Sequence, residues 1–238
     1  MLDKQVIENY NNQFKVFESE VEYGFKNICL HYAINILTVN RQEPINKTPE
    51  FWNFTLYNLA TVSILTLGRI FDVRSNYSIH KLLDILGQNL EILSLAELKS
   101  RKGPTIDFEE YISDKADFSK DMYRDLVRIK KRLYKQYEKP YKNYRNSIIG
   151  HRLVKSTVEI EGSDRFYFLD ILNIYIDLYN LKRELWERYH NGRGHTYLTF
   201  DELTLQIHSI ERNTENIPRY LYMVKDYLKL YHLLEQYG

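Results

Sequence analysis

From Ile7 to Ile36 the apolar side chains recur at steps of three and four: Ile7, Tyr10, Phe14, Phe17, Val21, Phe25, Ile28, Tyr32 and Ile36. That spacing predicts one apolar stripe along a helix of about 35 residues, and Gly24 sits where a bend could form. Thr48 and Pro49 suit the N-cap and first position of a second helix, Glu50 to Phe71. Leu56, Leu59, Val62, Ile64, Leu67 and Ile70 make it apolar nearly all round, as expected of a helix in the middle of a bundle. A short helix is predicted from Ser78 to Leu86, with Ile79, Leu82 and Leu83 at helical spacing.

Residues 100–117 keep no period and contain Gly103 and Pro104, which predicts a connecting loop. The period returns from Ser119 to Ile149 through Leu126, Ile129, Leu133, Tyr137, Tyr141, Tyr144 and Ile148, and Pro140 should kink or split that helix. Val154 to Ile160 is β-branched enough for a short extended segment. Residues 168–189 form another amphipathic stretch, Thr199 and Glu202 fit a capping box, and Tyr220 to Tyr237 reads as the last helix. The pattern predicts an all-α helical bundle, a single domain over residues 1–238, with a long N-terminal helix and a C-terminal helical extension over 195–238.

Cys29 is the sole cysteine, so no intrachain disulfide is possible. The first residues, MLDKQVIENYNNQ, lack the basic and apolar blocks of a secretion signal. The longest apolar run, Leu59 to Leu67, is interrupted by hydroxyl residues and is about half the length a membrane span needs. A soluble, cytoplasmic protein with no membrane association is the expectation.

The chain carries 33 basic and 32 acidic residues, a net +1. That balance conceals a window, Arg128 to Lys155, with ten basic residues (Arg128, Lys130, Lys131, Arg132, Lys135, Lys139, Lys142, Arg145, Arg152, Lys155) against Glu138 alone. Arg128, Arg132, Lys135, Lys139, Lys142 and Arg145 recur at helical steps and would form a cationic row opposite the apolar one. Such a row fits nucleic-acid phosphates; it fits equally a solvated face paired with acids from neighbouring helices.

At the end of that helix the chain reads YKNYRNSIIGHRLVK, with Asn146 directly after Arg145 and His151 six positions beyond the arginine. RNA cleavage without a metal needs a base for the 2′-hydroxyl, an acid for the 5′-oxygen and a cation for the charge on phosphorus. Histidine titrates near neutrality, and arginine can grip a phosphoryl group through two donors. A single histidine cannot serve as base and acid in one step, so the chemistry predicts a homodimer with the site across its two-fold axis. Arg74 with His80, Arg183 with His190 and Arg188 with His195 have similar spacing; Asn146, the helix end and the basic window single out Arg145. In an ideal helix Arg145 and His151 lie about 120° apart, so convergence requires the helix to end or distort near Gly150, or a partner chain to bring its own arginine.

This segment resembles the signature of the HEPN superfamily: Arg, a polar residue, a short spacer, His. LGRIFDVRSNYSIHKLLDIL, Leu67 to Leu86, is similar to the second-helix region of the AbiU-type branch, which is associated with abortive infection of phage-infected bacteria. The likeness spans residues 50–190 as a HEPN-like core. It implies a helical bundle dimerising through its motif face and metal-independent ribonuclease or toxin activity. Arg145 and His151 would be catalytic, with Asn146 assisting.

Arg128, Arg132, Lys135, Lys139, Lys142, Arg152 and Lys155 are the candidate RNA-binding residues, and Tyr141 and Tyr144 are candidates for stacking on a base. A non-catalytic HEPN-like module binding RNA, a nucleotide or a partner such as an antitoxin is the alternative; a helical scaffold is a third. His190 and His195 flank Gly192 and Gly194 without ligands at metal spacing, which predicts a polar turn. Asp72 after Arg69 suggests a helix-end ion pair. No phosphate loop, dinucleotide fingerprint, GxSxG or HExxH occurs, and no cofactor or metal is expected.

Overall fold

A computed structural model of the chain describes residues 2–37, 43–103, 107–142, 145–146, 168–210 and 217–237. All regular structure among them is helical. The helices are α1 (Lys4–Leu37), α2 (Glu43–Lys47), α3 (Pro49–Ile70), α4 (Ile79–Gln88), α5 (Leu95–Lys102), α6 (Phe108–Ile112), α7 (Lys120–Tyr137), α8 (Phe168–Asn191), α9 (Phe200–Ile210) and α10 (Tyr222–Tyr237). Short 3₁₀ turns occupy Leu90–Leu93 and Arg219–Leu221, and a π-helical segment, Glu138–Lys142, follows α7.

The 34-residue α1 and the Pro49 start of α3 follow the predicted boundaries. Ser78 caps α4 by accepting the Lys81 N–H, and Thr199 with Glu202 closes a complete capping box on α9, with backbone-to-side-chain bonds of 2.8 and 3.2 Å. The predicted loop over 100–117 is corrected. Ser100 to Lys102 belong to α5, which Ser94 caps through the Glu97 N–H, and α6 opens on Asp107, which accepts the Glu110 N–H. Both helices bury only one residue, Leu98 and Phe108, so no apolar period marks them. The extended segment predicted at Val154 to Ile160 lies outside the described residues.

The chain divides into two compact units. One comprises residues 1–21, 69–136 and 177–197. Its interior holds Tyr10, Phe17, Leu82, Leu86, Leu133 and Leu185, and Arg101 acts as a staple there. The Arg101 guanidinium stacks 4.1 Å from the Tyr189 ring centroid and donates to the carbonyls of Ile92 and Tyr189 at 3.0 and 2.9 Å. Burial depresses its pKa from the usual arginine value; these carbonyl bonds hold the charged form in place.

The other unit comprises residues 22–68, 137–176 and 198–238. Phe25, Ile28, Ile64, Leu67, Tyr175 and Leu203 fill its core. Tyr175, fully buried, donates to the Ser63 carbonyl at 2.7 Å. Gly24 faces its phenol ring, and a Cβ there would collide with the hydroxyl and two ring carbons. The close approach of α1 to Tyr175 therefore depends on glycine.

Two tests follow from this core. Gly24→Ala gains helix propensity but overpacks a ring that has nowhere to go, and should lower unfolding free energy in urea by about 1–3 kcal/mol; an unchanged midpoint would refute the packing account. His31 packs 5.0 Å from the Phe168 ring and burial lowers its pKa to about 4. Below about pH 6.5 the unfolded chain binds a proton that the folded chain refuses, so stability should fall as pH drops from about 6.5 to about 4, by roughly 2–3 kcal/mol. Replacing His31 with Gln should flatten that part of the pH–stability curve.

Candidate active site

Proline lacks the N–H needed one turn back and its ring presses on the preceding carbonyl. At Pro140 the chain answers by widening into the π segment Glu138–Lys142, and Arg145 and Asn146 are π-helical too. The predicted split at Pro140 is thus a change of helical pitch. Arg128, Arg132 and Lys135 share an exposed face of α7, and Lys139, Lys142 and Arg145 come after its end.

Neighbouring acids are closer to this row than its sequence implies. Arg128 pairs with Asp125 at 3.1 Å, Arg132 with Asp177 at 2.9 Å, and Lys142 with Glu138 at 2.8 Å. Glu138 is thus not the sole local acid. Lys135 and Lys139 are exposed. Burial pushes the Asp177 carboxyl above the usual carboxylate range and Arg132 partly offsets it.

Arg145 is half-buried and Asn146 exposed. Arg145 donates from Nε and Nη2 to Asn146 Oδ1 at 3.0 and 2.8 Å. One amide oxygen taking two N–H groups fixes the guanidinium plane, and because the amide is neutral the positive charge stays intact. The amide oxygen must face the arginine, so the Asn146 NH₂ points away as a further donor. The guanidinium also lies against Gly68 of α3: a Cβ there would stand 2.5 Å from Nη1. Sequence reasoning placed Gly68 only within the LGRIFD resemblance; the available signal was a glycine inside an otherwise apolar helix, which needs a packing reason.

His151, Arg152, Lys155 and Tyr144 lie outside the described residues. Tyr141 does not fit the stacking role: it is 3% exposed, and burial together with the negative charge of Asp170 raises its pKa above the usual tyrosine value. The 190–195 segment is the polar turn predicted. Gly192 takes a positive φ of 67°, and His195 meets Asn180 Oδ1 through Nε2 at 3.1 Å while its backbone N–H donates to Glu184. Among the described residues no group of three or more His, Cys, Asp or Glu could hold a metal. Arg69 pairs with Glu20 at 2.8 Å, and Asp72 accepts the Arg74 N–H. No described helix is long and apolar enough to cross a membrane.

Among the described residues all regular structure is helical, and an arginine–asparagine doublet lies in π-helical geometry, as expected of a HEPN protein. Residues 7–206 match the family model HEPN_AbiU2, described as AbiU2, and the chain belongs to that family. The match takes in the long first helix as well as the region around Arg145. No curated protein and no solved structure matches the chain.

Proposed function

We propose that this AbiU2-family protein is a metal-independent endoribonuclease acting in phage defence or as a toxin, with a composite site formed by two copies of the chain. The supporting observation is the Arg145–Asn146 pair: a guanidinium held in a fixed plane by a neutral amide, with no acid paired to it among the described residues, suits a phosphoryl group gaining negative charge. His151 of one protomer takes the proton from the 2′-hydroxyl as that oxygen attacks phosphorus. The bond to the 5′-oxygen breaks, and the histidine of the other protomer protonates that oxygen. The products are a 2′,3′-cyclic phosphate and a 5′-hydroxyl end.

In this reading Arg128, Arg132, Lys135, Lys139, Lys142, Arg152 and Lys155 meet RNA phosphates. Arg128, Arg132 and Lys142 exchange an acidic neighbour for a phosphate oxygen as they do so. A protein antitoxin could occupy the same cationic groups.

The wild-type protein should cut single-stranded RNA in EDTA, and His151→Ala should slow cutting by roughly two to four decades. A variant as fast as wild type would refute the nuclease reading. Salt-sensitive RNA binding with no turnover, indifferent to His151, would instead assign a binding module. Asn146→Ala should reduce kcat about 10- to 100-fold, the equivalent of one charged hydrogen bond, and should add little to Arg145→Ala.

A further inference from the structure

Gly68 lies two residues before the end of α3 and is buried. Glycine inside a helix is less stable there than alanine, because it loses more backbone freedom on folding. Its backbone has no need of the left-handed region: among the described residues, the glycines with positive φ are Gly103 and Gly192. What distinguishes Gly68 is its neighbour. A Cβ would stand 2.5 Å from Arg145 Nη1, 3.2 Å from Arg145 Cζ, and against Arg145 Cδ.

The guanidinium is therefore held from two directions. Asn146 holds the Nε and Nη2 edge by hydrogen bonds, and the bare backbone of α3 receives the Nη1 side. We propose that Gly68 is a positioning residue for Arg145: the absence of a side chain at this point of α3 sets where the guanidinium rests, and helix stability is given up to hold it there. This rests on the reading of Arg145 as the group that grips the scissile phosphate.

Gly24 provides the contrast. There an added methyl would strike a fully buried tyrosine ring, whereas at Gly68 it would strike a half-buried, flexible side chain. The fold can accept a methyl at residue 68 by letting Arg145 move. A shift of about 1 Å in a catalytic group can lower the rate by roughly 100-fold.

The test is a cycle of wild type, Gly68→Ala, Arg145→Ala and the double variant, each measured by thermal unfolding, by single-stranded RNA cleavage and, where Arg145 is present, by the Arg145 Nε–H NMR signal, assigned through its loss in Arg145→Lys. Gly68→Ala should keep or raise Tm, shift the Arg145 signal, and lower kcat roughly 100-fold with little change in KM. Added to Arg145→Ala it should raise Tm by more than it does in wild type, because the methyl then has room, and should cost no further activity. An unmoved Nε–H signal, an equal Tm change in both backgrounds, or a lower Tm in the Arg145→Ala background would overturn the proposal. If wild type fails to cut RNA the nuclease reading falls, while the Tm cycle and the NMR signal still decide whether Gly68 places Arg145.

Discussion

The helix that carries the basic residues leaves α geometry after Tyr137, where Pro140 has no N–H for the carbonyl a turn behind it. The chain widens to π geometry over Glu138–Lys142, and Arg145 and Asn146 are π-helical as well. This one constraint divides the cations by helix type. Those on α7 share a face set by 3.6-residue spacing; Lys139, Lys142 and Arg145 belong to π-helical stretches, to which that spacing does not apply.

Close approach at glycine is the second constraint, and it takes two forms. At Gly24 the absent Cβ admits the rigid, buried ring of Tyr175, whose hydroxyl is bonded to the Ser63 carbonyl, so the glycine serves packing. At Gly68 the absent Cβ admits the stem and head of a charged side chain bonded to an exposed amide. A rigid apolar neighbour makes a glycine necessary for stability. A flexible cationic neighbour makes it a determinant of where charge sits.

Legibility in the sequence followed apolar burial. The elements α1, α4, α7 and α8 were readable from an apolar period, α3 from being apolar nearly all round, and α9 from Thr199 with Glu202 as its cap. The helices α5 and α6 escaped because each buries a single side chain, although the capping patterns Ser94 to Glu97 and Asp107 to Glu110 were present in the sequence. Of the candidate site, Arg145 and Asn146 were readable as neighbours and as a resemblance. Gly68 was not, because it meets Arg145 across 76 intervening residues and nothing local to either position encodes the meeting. Glu138 is the only acid within the basic window, but the window alone does not show which acids pair with it: Asp177 reaches Arg132 from α8, and Asp125, just outside the window, reaches Arg128.

Those pairings grade the basic face. Arg128 and Asp125 are both well exposed, and an exposed pair is worth little, on the order of 0–1 kcal/mol, so Arg128 can turn to a phosphate at small cost. Arg132 differs because its partner Asp177 is half-buried, with a carboxyl already pushed up by burial. Drawing Arg132 away leaves that carboxylate poorly solvated, which opposes the move. The exposed Lys135 completes the gradation. Within a face that looks uniformly cationic in the sequence, the arginine held by α8 favours staying where it is, so any polyanion docking there meets a surface whose charges differ in their readiness to engage.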